Sequence, residues 1–293
     1  MTSSAHYQHL SSSLNSVHEK VEQLTRELNS LKSKLSALDG SVVSPAPVMP
    51  VSTNVQTKLL GMKSHCIFGP VSTVLDLSSD IGNIEGNLVF VTLVGGGGAG
   101  SSGMAGGQVI RRSGSGGGAG ETIHRRIISL YGCTGKLIIT AGAGGDSSSP
   151  NGGYTSVEPE MIDHSRSPIV AHGGLGGSIS ESFSTGGEGA KSETYKMASV
   201  FDGQDGQDGQ EQDLPGPVSI QGGSGGSSYF AQGGFGGYAH YVKDALEKTV
   251  PSPKGQDGSF GSGGGGSIPG ISSSMIGKGG HGFVIVEYSL KDC

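Results

Sequence analysis

The chain has 293 residues, 56 of them glycine and none tryptophan, with 5% aromatic residues and a net charge of −6. Nearly one residue in five is glycine, against about 7% in ordinary proteins, yet 12 prolines and no sustained every-third-residue period exclude collagen. The acidic balance, with Arg111-Arg112 and Arg125-Arg126 as the only basic doublets, argues against nucleic acid as a partner, and no apolar run of about 18 residues is present to insert in a membrane as a helix.

Residues 1–13 are polar and lack the apolar h-region of a secretory signal, so synthesis in a reducing cytoplasm is expected. The three cysteines, Cys66, Cys133 and Cys293, are too few and too scattered for a disulfide framework or a zinc site. From residue 7 to 38 apolar side chains recur at alternating steps of four and three: Leu10, Leu14, Val17, Val21, Leu24, Leu28, Leu31, Leu35 and Leu38. That is a heptad seam, uninterrupted by glycine or proline until Gly40, and it predicts an α-helical coiled coil over residues 1–40. In a parallel arrangement Glu27 would face Lys32 and Lys34 would face Asp39, both attractive. An amphipathic helix packed on its own domain would need a wider apolar face. Self-association is therefore expected, with a homotrimer the favoured state, although leucine at both a and d fits several strand numbers. Residues 41–57 carry Pro45, Pro47 and Pro50 and read as an extended linker or arm.

Residues 58–293 form the third region. Short runs rich in β-branched and aromatic residues predict strands at 58–60, 66–68, 71–77, 88–94, 122–130, 136–140, 154–157, 168–171, 238–242 and 283–288. Between them lie glycine tracts at 95–100, 116–120, 173–177, 222–226, 233–237 and 261–266. Three of these share a GGxGG pattern: Gly173, Gly174, Gly176, Gly177 around Leu175; Gly222, Gly223, Gly225, Gly226 around Ser224; Gly233, Gly234, Gly236, Gly237 around Phe235. On a polyproline-II-like helix of three residues per turn, GGxGG leaves two faces bare and puts x on the third. Bare faces let backbones approach and hydrogen-bond closely. A disordered Gly/Ser linker is the alternative, but it would not need a strand-forming run between successive tracts. The expected fold class is thus mainly β with packed polyglycine-II-like loops, preceded by an N-terminal coiled coil.

Chemical motifs are weak. Gly95-x-Gly97-x-x-Gly100 follows a strand and fits a dinucleotide fingerprint, but residues 101–120 are too glycine-rich to supply the helix that binds pyrophosphate. Asp202, Asp205 and Asp208 recur every third residue and would share one edge of a threefold helix, a geometry that attracts Ca²⁺; a solvated acidic loop over 202–213 is the preferred reading. The Gly114-Ser115-Gly116 and Gly261-Ser262-Gly263 stretches do not form a G-x-S-x-G elbow between a strand and a helix. His65 and Cys66 would point to opposite faces of a strand, and His6 and His9 are the only histidine pair near metal-ligand spacing. No enzyme activity, metal or cofactor is expected.

From Leu88 to Tyr288 the order of pieces resembles the glycine-rich domain of phage tail-fibre adhesins and other viral fibre or capsid-surface proteins. The resemblance rests on Val89-Phe90-Val91-Thr92-Leu93-Val94 entering Gly95 to Gly98, and on Gly116-Gly117-Gly118-Ala119-Gly120-Glu121 opening a strand. Leu137-Ile138-Ile139-Thr140-Ala141-Gly142, Gly152-Gly153-Tyr154-Thr155-Ser156-Val157, Ile169-Val170-Ala171-His172-Gly173-Gly174 and the closing Gly280-His281-Gly282-Phe283-Val284-Ile285-Val286-Glu287-Tyr288 complete it. It covers about two-thirds of the chain; the polar insertions at about 178–220 and 243–260 depart from it. The resemblance implies a sandwich of packed polyglycine-II helices and short strands on a trimeric virion fibre or spike. The N-terminal segment would join other virion proteins. The loops would meet a host receptor or glycan, with Tyr229, Phe230, Phe235 and Tyr238 as candidate contacts unless they fill the core between glycine layers. An interior scaffold or cementing capsid protein, or a cellular glycine-rich structural protein, are the alternatives.

Overall fold

A computed structural model of the chain describes residues 62–81, 84, 87–106, 110–163, 166–180, 183–192, 199–213, 218–242, 245–246, 254–269 and 275–290. All belong to the compact unit Pro50–Cys293. The unit Met1–Met49 lies outside the described residues, and so do the heptad residues Leu10 to Leu38.

Seventeen strands, β1–β17 in chain order, make up the regular secondary structure, and no α-helix occurs among the described residues. This corrects the expected fold class: the described chain is mainly β, and its helical half has no counterpart there. The physical reason is local. Each glycine costs a helix about 1 kcal/mol, and the apolar residues between the tracts alternate with period two. In β7 (Cys133–Ala141), for example, Cys133, Leu137, Ile139 and Ala141 are buried while Ile138 is exposed.

Two antiparallel sheets form a sandwich. One has the order β1 (Met62–Phe68), β17 (Phe283–Ser289), β3 (Leu88–Val94), β6 (Thr122–Ser129), β12 (Val200–Phe201); the other runs β2 (Val71–Asp76), β7, β8 (Thr155–Met161), β9 (Ile169–Ala171). Val89, Val91 and Leu93 of β3 and Val284, Val286 and Tyr288 of β17 share a core with Leu137, Ile139 and Val157 from the facing sheet. Burial at roughly 25 cal/mol per Å² of apolar surface makes this the main hydrophobic contribution of the fold.

The strands run directly into glycine tracts. Twelve tracts can be numbered along the chain: tract 1 (95–101), tract 2 (113–121), tract 3 (142–145), tract 4 (150–153), tract 5 (172–177), tract 6 (186–192), tract 7 (202–210), tract 8 (221–227), tract 9 (233–237), tract 10 (255–258), tract 11 (261–267) and tract 12 (277–282). Their hydrogen bonds have a period of three. In tract 1, the N–H groups of Gly95, Gly98 and Ser101 donate to Glu121, Gly118 and Ser115 of tract 2. Gly96 and Ala99 donate to Gly153 and Pro150 of tract 4, and Gly97 and Gly100 to Gly280 and Gly277 of tract 12. The carbonyls of tract 1 in turn accept from Gly145 (tract 3), Gly174 and Gly177 (tract 5), and Gly264 and Ser267 (tract 11). A threefold helix with six hydrogen-bonded neighbours is one site of a hexagonal array.

Tracts 2 and 11 are likewise enclosed. Tract 2 donates to tracts 5, 7 and 11 and accepts from 1, 6 and 8; tract 11 donates to 1, 8 and 10 and accepts from 2, 9 and 12. Tracts 1, 2 and 11 thus bond to one another at the centre. The other nine close a ring around them in the order 3, 12, 10, 9, 8, 7, 6, 5, 4, each bonded to the next. The result is a prism of polyglycine-II type. Its far end carries three small sheets: β4 (Met104–Gly106) with β5 (Ile110–Arg112) and β13 (Glu211–Asp213); β10 (Ser178–Ile179) with β11 (Ser184–Thr185); and β14 (Val218–Gln221), β15 (Tyr238–Val242) and β16 (Ala245–Leu246). The 178–220 insertion is therefore built into the array as tracts 6 and 7.

Space, not backbone freedom, requires the glycines. Of the tract glycines only Gly261 has a positive φ, 77°. A Cβ on nearly every other one would come closer than 3.0 Å to a neighbouring carbonyl.

Candidate functional surfaces

The array decides which side chains can reach solvent. The GGxGG tracts are tracts 5, 8 and 9, and their glycines are turned on neighbouring tracts. A Cβ on Gly174 would overlap the carbonyl of Gly118, one on Gly223 that of Gln207, and one on Gly234 that of Gln256. At the x positions, Leu175 and Phe235 are 46% and 51% exposed and Ser224 is half-buried.

The aspartate repeat is not a loop. Residues 202–210 are tract 7, whose N–H groups at Gly203 and Gly206 donate to Ala190 and Gly187, and at Gln204 and Gln207 to Ser227 and Ser224. The carboxylates share one edge and close a seam of the ring: Oδ1 of Asp202, Asp205 and Asp208 accepts the N–H of Ser192, Gly189 and Gly186, at 3.0, 2.8 and 2.8 Å. The solvated-loop reading missed this because only every third residue is glycine. Elsewhere on the rim Asn151 accepts from Gly176 N–H (2.9 Å), Asp257 from Lys278 N–H (2.9 Å), and His281 Nδ1 from Gly144 N–H (2.8 Å). Side chains thus complete bonds that a missing outer tract would otherwise make.

At the junction of sandwich and prism an aromatic chain forms. Phe201 stacks on Tyr229 (4.3 Å), Tyr229 meets Phe230 edge-on (5.0 Å), and Phe230 and Phe260 both meet Phe283 edge-on (5.2 and 5.8 Å). Phe68 lies 5.9 Å from Phe283 and 6.2 Å from Phe260. Phe283 is buried; Phe68, Tyr229, Phe230 and Phe260 are each 39–52% exposed. Of the four aromatics singled out from sequence, the structure brings Tyr229 and Phe230 together. Tyr238 lies beyond tract 9 in β15, where its hydroxyl donates to Ser219 Oγ (3.2 Å). Phe68, Phe201, Phe260 and Phe283 come from segments far apart, and no local pattern marks them.

Beside Phe68 and Phe260 a groove of about 430 Å³ runs between tracts 3, 10 and 12. Its rim carries Asp146, Asp257, Lys278 and His281. Burial, then the charge of Lys278, lowers the pKa of His281; the imidazole is neutral at pH 7, as accepting from Gly144 requires. The Ser148 hydroxyl and the N–H groups of Ser149 and Ser148 bond the Asp146 carboxylate and hold its pKa at about 2. A depressed carboxyl pKa contributes stability that is complete above the unfolded value, near 3.9, and is lost as pH falls through the folded one. NMR titration should therefore find Asp146 still charged at pH 3. Asp146→Ala should flatten the stability-versus-pH curve between about pH 4 and 2.

A separate polar knot ties β1 to β17. Lys63 Nζ and the Tyr288 hydroxyl both donate to Asp80 Oδ2 at 2.6 Å, and His65 Nε2 lies 2.8 Å from the Tyr288 oxygen. These bonds, Lys63 first, lower the Asp80 pKa; burial raises that of Tyr288 and lowers that of His65. His65 and Cys66 alternate along β1, and burial raises the thiol pKa of Cys66 and of Cys133. No group of three or more His, Cys, Asp or Glu able to hold a metal occurs among the described residues.

A β-sandwich whose strands feed a hydrogen-bonded array of threefold glycine tracts defines a glycine-rich structural domain. The chain belongs to the glycine-rich domain family, whose model matches residues 82–289. No curated protein matches the chain.

Proposed function

We propose that the chain is a virion structural protein. In this reading the glycine-rich domain is displayed on a fibre, a spike or the capsid surface for attachment or decoration. Three copies associate, and residues 1–57 hold them to other virion proteins. The observation that carries it is the division of labour in the prism: inward positions are fixed by backbone packing, whereas outward residues such as Leu175 and Phe235 are exposed. Such a scaffold varies its surface and end loops without disturbing its interior, which suits recognition on a rigid support. Association in threes raises avidity with no new contact.

Gold-labelled antibody against 202–213, whose described side chains are mostly exposed, should decorate intact purified particles. Labelling only after the shell is opened would assign the chain to interior cement, and its absence from particles would overturn the proposal. Deleting residues 1–57 should abolish incorporation while the remaining domain still melts cooperatively.

A further inference from the structure

We propose that the groove between tracts 3, 10 and 12 binds a saccharide chain. Glycines of these tracts line its floor, Gly144 and Gly258 partly exposed and Gly145, Gly279 and Gly280 buried. At one end stand the rings of Phe68 and Phe260, 43% and 47% exposed, 6.2 Å apart and tilted by 51°. Exposed rings of this kind stack on the C–H faces of pyranose rings. Along the rim stand two carboxylates fixed in advance. Oδ1 of Asp146 accepts from Ser148 N–H, Ser148 Oγ–H and Ser149 N–H at 2.7–2.9 Å. Oδ1 of Asp257 accepts from Lys278 N–H and lies 3.6 Å from the Lys254 ammonium. The second oxygen of each carboxylate takes no hydrogen bond from a described residue and remains available to sugar hydroxyls. The Lys278 ammonium adds a donor.

The same features disfavour other ligands. The Lys254 and Lys278 ammonium groups stand beside the two carboxylates, so the trough has no surplus of basic charge to hold phosphates or nucleic acid. A compact apolar ligand needs deeper enclosure and more apolar lining than two rings provide. A chain of sugars, whose rings are apolar on their faces and polar at their edges, matches both halves of the lining.

The proposal names the ligand class for the attachment role and depends on that reading only for its biological meaning. The test uses the purified full chain with maltohexaose and N-acetylchitohexaose as probes, in saturation-transfer NMR and titration. Ring C–H protons of at least one probe should receive saturation. Phe260→Gly should weaken binding at least tenfold. The ring's contact with Phe283 is lost, but relief at φ 46°, a conformation glycine adopts freely, offsets part of that loss, so the variant should still melt cooperatively. Asp257→Asn keeps an oxygen for the Lys278 N–H and should weaken binding several-fold. No saturation of either probe at millimolar concentration, or binding unchanged by both substitutions, would overturn the proposal. That result would leave the virion assignment intact, since particle labelling tests it independently.

Discussion

Gly117→Ala is expected to destabilise the domain by about 3 kcal/mol, read as a fall in the urea midpoint at unchanged m. The usual sign of the substitution is the opposite. Where the backbone conformation suits any residue, Gly→Ala stabilises by about 0.4–1 kcal/mol, because alanine has less freedom to lose from the unfolded chain. Gly117 has no positive φ, so backbone strain does not enter. Packing decides: a Cβ there would overlap the carbonyl of Gly98 and crowd that of Ala99. Both are main-chain atoms of tract 1, and no flexible side chain can swing away. Nor can tract 2 withdraw, because its own bonds tie it to six neighbours. Ser224→Ala, at an outward position of tract 8, provides the control and should be nearly neutral. Equal effects of the two substitutions would refute close packing of the array.

Glycine density within a tract follows the tract's place in the array, which explains what could be read from sequence. Central tracts are hemmed in on all sides, so all three side-chain directions must be bare or small; 95–101 and 261–267 contain only glycine, alanine and serine. Tracts 5 and 8, in the middle of a face, are covered on about half their circumference and show GGxGG, the pattern legible at once. Tracts 7 and 10, at corners, need fewer bare directions, and GQDGQDGQ and GQDG lose the glycine-rich look. That is why the acidic repeat reads as a loop. Tract 9, also at a corner, keeps two bare positions in three. The strands divide similarly. β3, β6, β7 and β17 announce themselves because long alternating runs line a real core. By contrast β10, β11 and β13 are two or three residues long, and their pairing is imposed by where the tracts end. The aromatic chain and the groove were not legible because they are products of topology: Phe68 in β1 lies almost 200 residues or more from Phe260 and Phe283 in the C-terminal third.

Thr155→Val is expected to cost about 3 kcal/mol although the two side chains have almost the same shape. Thr155 is fully buried where sandwich passes into prism. Its Oγ1 donates to the Val94 carbonyl at 2.7 Å and accepts the Gly142 N–H at 3.0 Å. Val94 is the last residue of β3 before tract 1, Gly142 is the first of tract 3, and Thr155 opens β8 just after tract 4. One hydroxyl therefore fixes the register of three strand-to-tract passages. Valine fills the space but leaves a buried carbonyl and a buried N–H unpaired, and each such group costs roughly 1–3 kcal/mol. Thr155→Ser keeps both bonds and loses a methyl group, a change of about 1 kcal/mol. Valine should thus be clearly worse than serine, against the order that hydrophobic burial alone would give. Hydrogen exchange adds a local readout: the Gly142 amide should lose protection in the valine variant and retain it in the serine variant. If valine proves as stable as serine, the hydroxyl is not what holds the passages together, and packing of the two sheets alone sets the junction.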